Sequence, residues 1–545
     1  MAPIVASAQD RSQARSMVIT TRGIVATAQT LASQAGAQIL ARGGSAVDAA
    51  IAANAVLSVV EPMMNGPGGD LFALVWDAKT GSLTGINASG WAPRALSIEY
   101  LKKQNMLRMP TSGIHTVTVP GCVAGWEKLH KRFGKLPWRD LFRPAIYYAE
   151  NGFPVTELIQ WDWENTNSRL GADARKIYLP NGAAPKVGET FRNPELGHAF
   201  RLIADLGARA FYDGPVGEAL LATSRKLGGT LSAADLSEYE PEWVQPISTD
   251  YRGWKVSELP PNGQGIGTLE MLNILENFPL GQYDPISVQA LHLKIEAEKL
   301  AFADLDRYVG DPKFATVPTA GLLSKPYAKQ RAALIDPDKA RCDVQAGTPP
   351  EAHGNTTYLS TVDKDGNTVS LIQSNSEIFG SGILIDGMGI LLHDRGSSFT
   401  LDADHPNALA PHKRPYHTII PAFMEQGSQH IAFGIMRGMN QPQAQMQFVT
   451  NIVDHKMNIQ AALEAPRFTK PTFGGCELLI EGRVPDIIRA QLEQKGHRLD
   501  VVGDFSGLMG GGQAVLHDSA TKINYGASSP RKDGAAIPEP DPYFK

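Results

Sequence analysis

The spacing of hydrophobic residues changes along this chain and divides it in two. From Gln29 to Val60, Ala, Leu and Val recur at helical spacing on both sides of ARGGSAVDAA. Gly43 and Gly44 suit a helix end there, and Ser45 can cap the next helix, so the pattern predicts two helices joined by a glycine turn. Past Glu61 and Pro62, NGPGGDLFALVWDAKTGSLTGINASG reads as a glycine-rich loop, a turn before an anion cradle, followed by a hairpin of LFALVWD and SLTGINA. Residues 118–160 predict two amphipathic helices separated by the Gly134 to Pro137 turn. Val288 to Tyr308 predicts a third, with its apolar positions on one face. Between these helices, DYRGWKVSELPPNGQGIG predicts one strand that ends in a Pro/Gly loop.

From Thr356 onward the spacing is that of strands. TTYLSTV, TVSLIQS and GMGILLHD come first, then HTIIPAFM and HIAFGIM, before helices from Pro442 to Val453 and from Ala461. The two textures meet at residues 335–355, IDPDKARCDVQAGTPPEAHGN, which carry Pro, Gly and charge without periodicity and read as a linker. A linker thus runs directly into Thr-Thr and a strand. No repeat of the solenoid kind is present.

Composition adds limits. With 545 residues, 43% hydrophobic and 20% charged, the chain can bury a large core and is neither disordered nor fibrous. The net charge of -5 gives no long-range attraction to nucleic acid or to an anionic membrane, so small amide or peptide substrates are expected as partners. The N-terminal stretch is polar where a signal peptide is apolar. The most apolar stretch, Val47 to Val60, contains Asp48 and Asn54 and is shorter than the roughly 20 residues of a membrane span. A cytoplasmic location is expected. Cys122, Cys342 and Cys476 are far apart and form no CxxC pair, so reduced, buried thiols are expected too.

Common catalytic motifs are missing: HExxH, GxxxxGK[ST], GxSxG and a strand-anchored GxGxxG. His405, His412 and His417 fall in a Pro-containing loop, so no metal site and no cofactor are expected. What remains is Thr356. A threonine becomes nucleophilic when a base takes its proton. A chain-terminal threonine supplies that base itself, through an α-amine with a reference pKa near 8. The bond between Asn355 and Thr356 must first be broken, and the same hydroxyl can break it by attacking the Asn355 carbonyl to give an ester that water cleaves.

The segment GNTTYLSTVDKDGNTVS, followed by FGSG and GILLHD, resembles the cleavage region of the γ-glutamyltransferase family of N-terminal nucleophile hydrolases. GGSAVDAAIAANAVLSVVEP, GPGGD, VPGCVAGWEKLHKRFGKLPW, ENGFPV, GGTLSAADLSEY, LPPNGQGIGTLEMLNIL, KLAFADLDRYVGDP and LEAPRF are similar to family blocks in the family order. The resemblance implies an α+β, four-layer αββα sandwich made of two autoprocessed subunits. Residues 1–355 would form the large subunit, ending in the linker at 335–355, and residues 356–545 the small one; assembly beyond this pair is left open. It further implies Thr356 as nucleophile and base, Ser374 as the hydroxyl that orients it, and backbone N–H groups at Arg437 and Gly438 as oxyanion donors.

The glutamate-reading residues of the family are not matched. The arginine for the α-carboxylate falls near Ser89 and the acid for the α-amine at Ser398. Ser376, next to Asn375, replaces a pocket asparagine, and His417 and Thr418 replace a serine pair. New charges stand at Arg395 and Arg437, with Arg414 and His417 as further candidates. A buried ammonium or carboxylate without a partner costs several kcal/mol, so the set implies an acyl group that carries a carboxylate but no amine. The expected function is therefore amide hydrolysis through a threonine acyl-enzyme. The alternatives are a true glutathione hydrolase or transpeptidase, or an uncleaved binding protein.

Overall fold

The computed structural model describes residues 13–344 and 355–543. Two antiparallel sheets of seven strands lie at its centre. The first runs Glu242–Val244, Ser82–Ala88, Asp70–Asp77, Thr368–Ser376, Asn355–Val362, Ile24–Thr27, Ala535–Pro538. The second runs Ile247–Tyr251, Trp254–Glu258, Ala422–Gln426, Gln429–Ile435, Gly512–Asp518, Ile523–Ser528, Val18–Thr20. Period-two alternation explains the layering. On Asp70–Asp77, Phe72, Leu74 and Trp76 enter the core between the sheets, with Tyr358, Ile372, Phe423 and Val515. Leu71, Ala73 and Val75 of the same strand face the helices Thr30–Ala41 and Ala46–Val60. On the far side Gly265–Leu275, Val288–Tyr308 and Asn440–Val453 cover the second sheet. This is the expected αββα sandwich, and each sheet takes strands from both sides of the Asn355–Thr356 bond.

Local chemistry sets the helix ends. Gly43, at φ 91°, closes the first helix, and Ser45 and Asp48 form a reciprocal capping box that opens the second. All of Ala46–Val60 is buried, because the sheet covers one side and further helices the other.

Three expectations change. DYRGWKVSE is a hairpin of two strands, since Arg252 and Gly253 both take positive φ and supply the tight turn. The second helix expected within 118–160 is broken at Phe142 into Trp138–Leu141 and Arg143–Asn151. Val288–Tyr308 has the expected ends but no solvent face, and it buries Lys294, Glu296, Glu298 and Lys299. Among these, Lys299 Nζ bonds Glu296 Oε1 at 2.7 Å.

The cysteine expectation is corrected. Cys342 and Cys476 are joined in a disulfide, and only Cys122 is a free buried thiol. Sequence spacing could not show this, because the two partners are 134 positions apart and meet only in the fold. The described part of the linker, 335–344, is irregular but attached, with Ala340 N donating to Lys495 O at 2.7 Å. Residues 345–354 lie outside the described residues. Among the described residues no helix is long and apolar enough to cross a membrane.

Candidate active site

Thr356 stands at the head of a central strand, flanked by Ile24–Thr27 and Thr368–Ser376. The pairing register shifts between Asn355 and Thr357, so a bulge falls at Thr356 and turns its side chain out of the regular alternation. The residue is buried. Its Oγ1 lies 3.5 Å from Ser374 Oγ and 3.4 Å from Gln441 Nε2. The second threonine is tied elsewhere: Thr357 Oγ1 donates to the buried Glu61 Oε2 at 2.7 Å. Burial raises the Glu61 carboxyl against the lowering pull of Lys532 and Thr357. Burial alone would lower Lys532, but Asp162 and Glu61 outweigh it and raise the ammonium.

Ser374 Oγ also accepts from Ser376 N at 2.8 Å and from Arg395 Nη2 at 3.3 Å. Arg395 Nη1 donates to Thr418 Oγ1 at 2.8 Å, so one buried guanidinium links Ser374 to Thr418. Burial disfavours its charge, while Asp70, Asp394 and Glu377 support it. Among the described residues Arg395 Nε and both side-chain polar atoms of Asn375 are buried and make no hydrogen bond. Glu377, half-buried beside them, is raised to about 8 by burial and by neighbouring Asp394.

Gln264, from the PPNGQG loop, donates through Nε2 to Thr418 O at 2.6 Å and to Gly438 O at 2.9 Å. It ties the Arg395 side of the site to the Arg437–Gly438 turn. That pair has φ of 92° and 42°, left-handed values that an arginine takes only at a cost. Such a pair aims successive N–H groups to one side, as an oxyanion requires. The helix Asn440–Val453 starts there and brings Gln441, whose Oε1 accepts from Ile420 N at 3.1 Å. The amide orientation is thereby fixed, with Nε2 toward Thr356. Arg437 Nη1 reaches Gly507 O at 3.3 Å, and its side chain lines a cavity of about 280 Å³ with Trp161, Phe505 and Lys532.

His417 belongs to a different group from the one its loop suggested. Its Nε2 donates to Asp70 Oδ2 at 2.9 Å, and His393 Nδ1 lies 3.4 Å from the same oxygen. Burial, and next Arg395, push His417 down to about 3, so it is neutral near pH 7. Burial would raise Asp70, but His393, His417 and Arg395 hold it below the usual carboxylate range. Ser89 bonds Asn87 and Asn262, and its carbonyl accepts from Arg414 Nε at 3.0 Å. Arg414 therefore brings a guanidinium to the place where the sequence puts Ser89, although Glu242 holds its other end at 3.0 Å. Ser398 is half-buried at the end of the Arg395–Ser398 turn, and its carbonyl accepts from Asn407 Nδ2.

Thr356, Ser374, Asn375, Ser376, Arg395, Thr418 and the Arg437–Gly438 turn thus form one cluster, with Ser89 and Ser398 at its margin. Sequence reasoning missed Asp70, Gln264, Gln441 and Glu61. For Gln441 one signal was available, because it lies three residues after Gly438. A further group, His292, Glu296 and His497, has ligand-type atoms within 4.8 Å of one another. His292 Nδ1 already meets His497 Nε2 at 2.8 Å, and Lys299 holds Glu296.

Two packed sheets between helical layers, with a buried threonine hydroxyl at the head of a central strand, define an N-terminal nucleophile hydrolase. Residues 32–539 match the Gamma-glutamyltranspeptidase family, and the chain belongs to that family. It is 38% identical over 528 residues to the glutathione hydrolase-like YwrD proenzyme of Bacillus subtilis, covering 95% of this chain and 99% of the relative. It is 33% identical over 540 residues to the oxamate amidohydrolase proenzyme of Klebsiella pneumoniae, covering 95% and 98%. The structure of a cephalosporin acylase from Bacillus halodurans superposes with a TM-score of 0.91 at 42% identity, covering 99% of each chain.

Proposed function

We propose that the chain cuts itself between Asn355 and Thr356 and then hydrolyses an amide whose acyl part carries a carboxylate and no α-amine. The family membership makes it a self-processing, amide-cleaving enzyme. Thr356 Oγ1 attacks the Asn355 carbonyl, and the acyl group moves from nitrogen to oxygen. Water cleaves that ester, which leaves an Asn355 carboxylate and a free Thr356 amine. In turnover the amine takes the Oγ1 proton as Oγ1 attacks the substrate carbonyl. Backbone N–H groups of the Arg437–Gly438 turn receive the oxyanion, the amine product leaves with the proton, and water releases the acid. Large and small subunits of one precursor are then the partners.

The carrying observation for the acyl group is Arg395, buried 3.3 Å from Ser374 Oγ, with Nε unused among the described residues. A carboxylate supplies the acceptor that donor lacks. The γ-glutamyl reading keeps one observation of its own: Glu377, raised to about 8, would bind an α-ammonium as its carboxylate. A panel of amides separates the two. Amides of dicarboxylic acids without an α-amine are expected to turn over about 100-fold faster than neutral acyl amides, as a charged hydrogen-bonded pair allows. Glutathione hydrolysis at or above that rate overturns the first reading in favour of the second. The cytoplasmic location expected from sequence stands against the Cys342–Cys476 bridge, a bond that reducing compartments reverse.

Gln441 fits the step in which Oγ1 leaves the acyl-enzyme, because an amide N–H facing it supports the developing charge. Gln441→Leu is expected to lower kcat roughly tenfold or more, the worth of one hydrogen bond to a charged oxygen, with KM nearly unchanged. Stopped-flow assay of a chromogenic substrate reads it: an initial burst followed by slow turnover is expected, and a purely raised KM would refute the role.

A further inference from the structure

The three cysteines of this chain are not equivalent. Cys342 and Cys476 are bonded, with Cα atoms 4.9 Å apart, while Cys122 is buried and free. Cys342 belongs to the stretch that leads toward the Asn355–Thr356 bond, and Cys476 immediately precedes the strand Glu477–Glu481. One partner therefore lies before the proposed cut and the other after it. The geometry points to Cys342–Cys476 as a covalent cross-link between the two subunits of the mature enzyme. This inference rests on the self-cleavage reading. Since the sequence holds 3 cysteines, no second disulfide can form within the molecule, and this bond is the covalent connection left once the peptide bond is broken.

Contacts outside the sulfur atoms bring the partners together. Arg341 N donates to Glu296 Oε2 at 3.1 Å, and Ala340 N to Lys495 O at 2.7 Å, which fixes the chain next to Cys342. Arg498 N donates to Cys476 O at 2.9 Å, which fixes the other side. The two thiols thus meet without rearrangement when the fold forms. Lys299 Nζ, held by Glu296, lies 3.5 Å from Cys476 Sγ. Cys342 is exposed, so an oxidant can reach the pair from solvent. The balance is simple: two thiols release two protons and two electrons to a disulfide-form oxidant, which departs as a dithiol.

The cross-link changes what cleavage does to the molecule. Without it, the pieces before and after the cut are held by noncovalent contacts alone, and their reassembly after unfolding is bimolecular. With it, reassembly remains intramolecular and independent of protein concentration. It also keeps Cys342 bonded to the second piece after the bond before Thr356 is gone.

The test is a denaturing gel of enzyme purified without thiols and alkylated, run with and without reductant, with intact-mass analysis of both samples. One band without reductant and two with it are expected, while Cys342→Ser gives two bands in both lanes. Two bands from the wild type without reductant overturn the cross-link while leaving the cut in place. One band in both lanes overturns the cut, and with it the cross-link. A peptide map of that sample then shows whether Cys342 and Cys476 are paired in the uncut chain, which separates the two failures. In a second measurement, activity recovered after unfolding is expected to be unchanged by tenfold dilution for the oxidised wild type and to fall several-fold for Cys342→Ser. Equal recovery of both at every dilution overturns the role assigned to the bond.

Discussion

A preparation carrying Thr356→Ala is expected to run as one uncut chain on a reducing gel and to hydrolyse no amide above background. In the proposed mechanism the hydroxyl has two tasks, attack on Asn355 and attack on substrate, and alanine removes both. Loss of a nucleophile that forms the acyl-enzyme costs about 10⁴-fold or more. The fold is expected to remain, because among the described residues Thr356 Oγ1 makes only long contacts, 3.5 Å to Ser374 Oγ and 3.4 Å to Gln441 Nε2. Replacing a buried threonine by alanine here costs about 1 kcal/mol, which a thermal melt can verify. Thr356→Ser keeps the hydroxyl and is expected to restore cutting and part of the turnover. Mass spectrometry reads the cut directly, and a fragment that begins at residue 356 in the alanine variant would refute the assignment.

Arg395→Met is expected to have the second largest effect. It is expected to lower kcat/KM for a carboxyacyl amide by about 10² to 10³, or roughly 3–4 kcal/mol, mainly through KM. Neutral acyl amides are expected to lose less than about tenfold, since they present no charge to be left unpaired. The same substitution leaves Asp70 with less positive charge, so the thermal midpoint is expected to drop as well. Arg395→Lys separates the causes. It keeps the charge but loses the two-point reach from Ser374 to Thr418, so it is expected to recover stability more than turnover. Equal losses for charged and neutral acyl groups would show that Arg395 is structural only.

The sequence carried some parts of this site well and others not at all. Thr356 and Ser374 were placed by resemblance, on one continuous block of strand, turn and strand, and Arg395 as a new charge in the turn Arg395–Ser398 beyond it. The Arg437–Gly438 turn was found by resemblance, and its unusual φ at Arg437 had no separate sign in the residues. Asp70 was quoted only as the end of a glycine loop, although its carboxylate is the partner of His417, 347 positions away. Gln264 was hidden in a Pro/Gly loop for a similar reason, because its partners Thr418 and Gly438 are more than 150 positions away. Periodicity failed for Val288–Tyr308 because neighbouring elements cover the helix on every side and Lys299 pairs with Glu296 in the interior, so polarity there does not mark a solvent face. The disulfide was unreadable because no local pattern accompanies it.

Strands from both lengths of the chain are interleaved in each sheet, and the strand headed by Thr356 is central in one of them. Its neighbour Ile24–Thr27 comes from near the start of the chain, and Ala535–Pro538, near the end, pairs onto that neighbour. Lys532, close to this last strand, closes onto Glu61, which holds Thr357. The surroundings of the threonine are thus complete only once Ile24–Thr27 and Ala535–Pro538 have both docked. On the proposed self-cleavage, the break before Thr356 is a molecular timestamp for copies in which these distant strands have met.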